Sequence, residues 1–268
     1  MGVLSPCQAA GMQDQIARIR SYFDAAASEY AREREREFSF ATQKRLALEM
    51  LPARLERVLD LGCGPAVLAE PLLERAAEFW GIDVSAQMIA HGRARMASHR
   101  LASRCHLLVA DGEATGFANA FFDAVVSLGM LEYLLSYERA LAEIFRVLRP
   151  GGVAVLAVPN RSSAYHRAGR VTVKLRALVK RALRRPPRAS ERFVTNRCVP
   201  AKLDETLARV GFEKLDGRYC NFIFHPLHEL HAGASMAINR RLTALGQPPL
   251  APWLGSQYIV KVRKPHAH

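Results

Sequence analysis

The stretch Val58-Leu59-Asp60-Leu61-Gly62-Cys63-Gly64-Pro65-Ala66 decides how the chain is read. A short apolar run ends in an acid, two glycines interrupt it, and a helix-forming segment begins near Val67. The pattern predicts a strand, a tight turn and a helix N-terminus, the layout of a nucleotide-type cofactor loop. Gly62 and Gly64 lack a Cβ, so the backbone can turn sharply and a ligand can approach it closely. The helix N-terminus that follows offers free N–H groups to a polar ligand.

Three features narrow the ligand. A dinucleotide loop needs G-x-G-x-x-G, and Val67 stands at the third glycine position. Asp60, at the end of the strand, repels a pyrophosphate and attracts an ammonium group. A second run, Phe79-Trp80-Gly81-Ile82-Asp83, ends in an acid 23 residues after Asp60, the place for a carboxylate that accepts hydrogen bonds from ribose hydroxyls. An amino acid joined to a nucleoside without phosphate meets all three conditions, and S-adenosylmethionine is such a molecule.

The ordered set Asp60-x-Gly62-x-Gly64, Gly81-Ile82-Asp83, Ala110-Asp111-Gly112-Glu113, Phe122-Asp123-Ala124-Val125-Val126-Ser127 and Val147-Leu148-Arg149-Pro150-Gly151-Gly152 resembles the motifs of class I S-adenosylmethionine-dependent methyltransferases. The branch it resembles acts on small molecules of quinone, lipid or polyketide type. The resemblance covers residues 20–160 well and the C-terminal third loosely. It departs at Ala66, where the family usually has a third glycine; one added methyl there implies a slightly displaced methionine end.

The resemblance implies a cofactor site. Gly62 and Gly64, with Cys63 between them, would cradle the methionine end. Asp60 would take part directly or through water. Asp83 would bind the ribose, with Val84 and Met88 beside it. Asp111 would contact the adenine amine, with Gly112 and Glu113 alongside. Ser127 to Met130 would lie beneath the transferred methyl. The stretch from Tyr22-Phe23-Asp24 to Tyr30 resembles the N-terminal helix that lies over the cofactor and helps shape the substrate pocket in small-molecule methyltransferases. Tyr22, Tyr30 and Met130 are the substrate-pocket candidates, and Phe23 reads as a core anchor. Some quinone-ring relatives carry a Glu-x-x-Glu-His metal cluster after the fourth strand. Here Gly129 and Tyr133 replace the first Glu and the His, leaving Glu132, so no metal is expected.

Methyl transfer from a sulfonium asks for alignment and exclusion of water rather than strong acid–base power. An oxygen acceptor additionally wants a base. The candidates are His166, His228 and Tyr133. His228 belongs to His225-Pro226-Leu227-His228-Glu229-Leu230-His231, whose spacing drifts off one helical face and makes a poor metal site.

At 268 residues, half of them hydrophobic, the chain fits one elaborated α/β domain. Five scattered cysteines without C-x-x-C suit a reducing cytosol and give no zinc signature. No apolar run reaches the roughly 18 residues of a membrane-spanning helix, and no secretory pattern is present.

Strand and helix signals alternate. Helices are predicted over 12–36, 41–53, 67–77, 86–97, 137–148 and 200–210, and strands over 57–61, 78–83, 105–109, 122–127, 153–158, 212–224 and 256–263. The fold expected is a Rossmann-like, doubly wound, mostly parallel sheet with an antiparallel C-terminal edge pair and helical cap insertions. One domain over 1–268 is expected: a helical cap (1–55), a cofactor core (56–160), a basic helical insertion (161–200) and C-terminal strands with a cap segment (201–268). Ligands in such sheets sit at the carboxyl ends of the strands, where Asp60, Asp83, Asp111 and Ser127 fall.

The net charge of +13 is local: residues 161–192 hold eleven basic residues against one acid. Within 165–185, Val171, Leu175, Leu178, Val179 and Ala182 share one helical face and basic residues cover much of the rest. Such a helix can lie on an anionic bilayer, cover an acidic substrate, or bind nucleic acid. The function expected is methylation, at oxygen, of a small hydrophobic or acidic metabolite such as a lipid, isoprenoid, polyketide or glycolipid precursor. The location expected is the cytoplasm, with peripheral contact at the inner face of a membrane. RNA methylation is the enzyme alternative. Against it, the stretch after strand four lacks an Asn/Asp-Pro-Pro-Tyr pattern and no basic-aromatic module is appended. A non-catalytic scaffold is the other alternative; intact Asp60, Gly62, Gly64 and Asp83 argue against it.

Overall fold

The computed structural model of the chain describes residues 6–34, 38–167, 198–222, 232–244 and 249–266. Most of the basic stretch 165–185, and His228 with its histidine-rich neighbourhood, lie outside the described residues.

One seven-stranded sheet organises everything else. In chain order come α1 (Pro6–Arg34), α2 (Phe38–Met50), β1 (Leu55–Leu61), α3 (Ala69–Leu73), β2 (Ala76–Asp83), α4 (Ala86–Met96), β3 (Cys105–Val109), β4 (Phe122–Leu128), α5 (Glu138–Val147) and β5 (Leu148–Pro159). The C-terminal part adds helix Pro200–Val210, β6 (Glu213–Phe222), helices Ala232–Ala244 and Ala251–Leu254, and β7 (Gly255–Arg263). The strand order is β3-β2-β1-β4-β5-β7-β6. β1 to β5 are parallel, and β7 runs against both β5 and β6. This is the doubly wound, mostly parallel sheet expected from the alternating pattern, with the antiparallel pair at its C-terminal edge.

The central strands are apolar throughout because helices cover both faces. All seven residues of β4 are buried. One core layer, with Val58, Phe79, Val126 and Val155, packs against α2 and α3. The other, with Leu59, Val125, Leu156 and Val260, packs against α5 and helix Pro200–Val210. The strand order reverses between β1 and β4, so a crevice opens at their carboxyl ends.

Two elements differ from the sequence reading. The helix predicted over 67–77 shrinks to Ala69–Leu73, because β2 already begins at Ala76 to pair with Leu55. The turn at Pro150-Gly151-Gly152 lies within β5 as an irregularity: Phe122 pairs with Leu148 and Ala124 with Val153. Gly151 there has φ +77, a conformation open to glycine.

Candidate active site

β1 ends at Leu61, and the chain then alternates into the left-handed region three times. Gly62 has φ +77, Gly64 φ +52 and Ala66 φ +56. The N–H groups of Gly62 and Cys63 both donate to the Ile82 carbonyl at 2.9 Å, which ties the turn to β2. Ala66 occupies the position where the resembled family has its third glycine, and its backbone keeps the glycine-like conformation. Its methyl is buried near Gly92, where an added Cβ would come within 3.1 Å of it.

Asp83 closes the other side of this turn. One carboxylate oxygen accepts from the Gly64 N–H at 2.9 Å and the other from the Ser85 N–H at 2.9 Å. Burial raises its pKa; the N–H donors of Ser85 and Gly64 oppose that, and nearby Asp24 adds to it. Asp60 is buried at the end of β1. Burial, and then the charge of Asp83, push Asp60 up to about 8. A buried acid that lines an open recess is a site for a cation or a donor. That recess, about 310 Å³, is lined by Tyr30, Phe40, Asp60, Gly62, Cys63 and Gly64 among others.

The recess adjoins a larger cavity of about 740 Å³, measured with its open mouth. Gly62, Gly64, Tyr30 and Leu128 line both. To the larger one the sheet contributes Asp83, Val84, Asp111 and Gly112 at the ends of β2 and β3, and Met88 comes from α4. The turn after β4 adds Gly129, Met130, Tyr133 and Leu134, and α1 adds Ile16, Ile19, Phe23 and Tyr30. Phe23 stands at the centre of an aromatic group. Its ring meets Tyr30 edge-on at 5.7 Å and Tyr133 at 5.2 Å.

Met130 explains two glycines at once. A Cβ on Gly62 would stand 2.7 Å from the Met130 Cβ, and one on Gly112 would stand 2.9 Å from its Sδ. The methionine therefore wedges between the β1 turn and the loop after β3. That loop is shaped by Asp111, whose carboxylate accepts from the Glu113 N–H at 2.9 Å. Glu113 is buried, which raises its pKa; Arg139 opposes the shift and Asp111 adds to it.

The candidate residues separate by position. Asp83, Gly62, Gly64, Val84, Met88, Asp111, Gly112, Tyr30, Met130 and Tyr133 line the larger cavity. Asp60 and Cys63 line the smaller recess, where burial and then Asp60 and Asp83 raise the Cys63 thiol. Four candidates stand outside both linings. The Ser127 hydroxyl, assigned to the cofactor from sequence, donates to the Leu61 carbonyl at 2.9 Å and ties β4 to β1. Tyr22 is one ring removed from the cavity, edge-on to Phe23 at 5.2 Å. Glu113 supports the β3 loop from behind. The His166 ring nitrogen Nε2 lies 3.2 Å from the Ser256 carbonyl, and neither residue is among those lining the two recesses. Sequence reading took Phe23 for a core anchor and passed over Ile16 and Ile19 as wall residues. Their three- and four-residue spacing put them on one face of α1; spacing alone does not say that the face covers a cavity, and only the resemblance of the Tyr22–Tyr30 stretch to a cofactor-covering helix pointed that way.

Residues 58–152 match the family model described as a methyltransferase domain. That match and the relatives below support a class I S-adenosylmethionine-dependent methyltransferase of the small-molecule type. The chain is 36% identical over 139 residues to malonyl-[acyl-carrier protein] O-methyltransferase from Enterobacter lignolyticus, covering 50% of this chain and 51% of that one. It is 29% identical over 162 residues to ubiquinone biosynthesis O-methyltransferase from Psychrobacter arcticus, covering 60% of each. The chain thus spans about half the length of the first of these curated relatives. In fold it is similar to the Burkholderia thailandensis 1,6-didemethyltoxoflavin-N1-methyltransferase solved with S-adenosylhomocysteine. The TM-score there is 0.62 at 17% identity, over 99% of this chain and 92% of that one. Among the described residues no helix is long and apolar enough to cross a membrane, and no group of three potential metal ligands occurs.

Proposed function

We propose that the chain methylates an oxygen of a small, mainly hydrophobic metabolite, with S-adenosylmethionine as donor. The observation that carries this is the composition of the cavity. Carboxylates and glycines from the strand ends face apolar and aromatic residues of α1 and of the turn after β4. Asp60 and the Gly62–Gly64 backbone would hold the methionine end, Asp83 the ribose, and Asp111 with Gly112 the adenine. The cofactor supplies a methyl already activated by the positive sulfonium. The chain's own residues then have to align the acceptor and keep water out. Phe23, Ile16, Ile19, Met130 and Leu134 form the apolar wall suited to that.

The base question narrows the acceptor. Tyr133 is the described base candidate that lines the cavity, and a neutral phenol hydroxyl is a poor general base compared with an imidazole. The described lining also holds no Lys or Arg. A neutral acceptor whose hydroxyl ionises readily, a phenol or an enol, fits both facts. Oxygen as the acceptor atom is supported by the names of the relatives, both O-methyltransferases. The test is calorimetric titration with S-adenosylmethionine, followed by mass spectrometry of phenolic, enolic and carboxylic acceptors incubated with methyl-labelled cofactor. Labelling of phenols or enols is the expected result. Labelling confined to nitrogen acceptors or to RNA would overturn the reading.

A second proposal concerns residues 165–185, whose basic residues and apolar stripe support reversible attachment to anionic membrane. Each basic side chain near such a surface contributes about 1 kcal/mol, screened by salt. Pelleting with phosphatidylglycerol vesicles, little with neutral ones, and loss on changing Arg181, Arg184 and Arg185 to Glu are the expected results. A gel shift of RNA without vesicle binding would favour nucleic acid instead.

A further inference from the structure

We propose that Asp24 is the latch that fastens α1 over the cavity and sets how fast cofactor enters and leaves. The inference rests on the reading of the cavity as the S-adenosylmethionine site.

α1 crosses the cavity as a strap. Ile16, Ile19, Phe23 and Tyr30 all point from it into the lining, and the helix packs chiefly on α4. Two polar tethers hold it. Near one end, the Gln15 side-chain amide donates to the Tyr133 carbonyl at 3.0 Å. Nine residues further on, about 13 Å along a helix, one oxygen of Asp24 accepts from the Ser85 hydroxyl at 2.6 Å and from the Gln87 N–H at 3.1 Å. The first tether is attached to the turn after β4, the second to the start of α4. The wall residues lie between and just beyond them.

The Asp24 tether is the stronger because it is ionic and has two donors. It also sits at the N-terminus of α4, where the helix dipole favours an anion. Ser85 caps that helix already: its hydroxyl oxygen accepts from the Met88 N–H at 3.1 Å. The same residue donates its N–H to Asp83. Ser85 is therefore a shared node between the strap and the carboxylate assigned to the ribose. Release of Asp24 frees the strap at Ser85, two residues from Asp83, and Asp24 is near enough to raise the Asp83 pKa. That repulsion makes the contact costly to Asp83, so packing of the site alone does not account for an acid at position 24. Asp24 touches neither cofactor nor acceptor in this scheme; it is a positioning residue acting through α1.

The test uses the full chain and measures release of S-adenosylhomocysteine by stopped-flow competition, together with KM and kcat. Asp24→Ala removes the acceptor, whereas Asp24→Asn keeps an acceptor oxygen at the same place. Loss of a charge-assisted hydrogen bond predicts release and cofactor KM at least about tenfold higher for Asp24→Ala, with kcat at saturating cofactor within about twofold. Asp24→Asn should recover most of this, to within about threefold of the wild type. Gln15→Leu should change release in the same direction, by a few-fold. A wild-type chain that binds, with Asp24→Ala releasing at the same rate, overturns the latch alone. So does a fall in kcat with KM unchanged. A wild-type chain that binds neither cofactor nor product overturns the cofactor reading and the latch with it. Should Asp24→Ala melt far below the wild type, Gln15→Leu decides, and wild-type release there overturns the strap.

Discussion

Asp83 raises the pKa of Asp60 across the carboxyl ends of two neighbouring strands. Burial is the larger cause, and together they push the Asp60 carboxyl up to about 8, against 3.8 for the ordinary group. With the folded pKa raised, the neutral acid favours the fold at pH below 3.8, and that contribution is lost as pH rises toward 8. Cation binding has the opposite sign, because a ligand ammonium stabilises the carboxylate. Affinity for S-adenosylmethionine is therefore expected to rise up to about tenfold per pH unit between roughly pH 6 and 8. Asp60→Asn should flatten that profile while raising the melting temperature of the ligand-free protein at the upper end. Titration calorimetry at several pH values checks the first and thermal melts the second; a flat wild-type profile removes Asp60 from the site.

Asp83→Ala should weaken S-adenosylmethionine binding by roughly 1.5–3 kcal/mol, the range for a hydrogen bond to a charged group. The loss includes the two N–H groups, of Gly64 and Ser85, that the carboxylate now satisfies. Unchanged affinity in a folded variant would sink the ribose assignment.

The strands and their order were legible because both faces of the sheet are covered, so each strand reads as an unbroken apolar run ended by an acid or glycine. Asp83 and Gly64 stood out by residue type and spacing alone. What sequence could not show were tertiary uses of the same atoms. Nothing local says that the Ser127 hydroxyl is consumed by the Leu61 carbonyl, or that Asp24 on α1 meets Ser85, 61 residues away. α3 was overestimated because helix propensity continues to residue 77, while the pairing of Ala76 with Leu55 takes the chain into β2 first. At Ala66 the missing third glycine suggested a slightly displaced methionine end of the cofactor; what sequence did not show is that the alanine keeps the left-handed backbone.

Gly62 carries two constraints, and they can be separated. At φ +77 any side chain is strained, and its Cβ would meet the Met130 Cβ at 2.7 Å. Gly112→Ala meets the mobile end of the same methionine, with Sδ at 2.9 Å and Cε at 3.2 Å. Gly62→Ala is thus expected to cost about 2–4 kcal/mol, and Gly112→Ala less than about 1.5 kcal/mol. Adding Met130→Ala should rescue Gly112→Ala and leave Gly62→Ala impaired, since the strain and the Cβ contact both remain. Denaturant midpoints of the single and double variants measure this. Full rescue of Gly62→Ala by Met130→Ala would show that the left-handed backbone contributes nothing.

Glu143 holds the loop that carries Asp111 and Gly112. It accepts from the Thr115 N–H at 2.8 Å, the Thr115 hydroxyl at 2.6 Å and the Arg146 guanidinium at 2.7–2.8 Å. Burial works to raise its pKa, but these donors outweigh it and hold the carboxyl at about 2, against an ordinary 4.5. Because the folded pKa is depressed, the stabilisation is fully present above pH 4.5 and is lost as pH falls toward 2. Glu143→Gln keeps the shape and removes the charge. It should lower stability at pH 7 by about 1–3 kcal/mol. It should also weaken cofactor binding by a smaller amount, through the loosened loop. The variant and the wild type should converge as the pH approaches 2, because the wild-type carboxyl is then protonated too. Urea midpoints taken at neutral pH and in acid decide the matter: a gap of equal size at both would mean that the ionised carboxylate does not tether the loop.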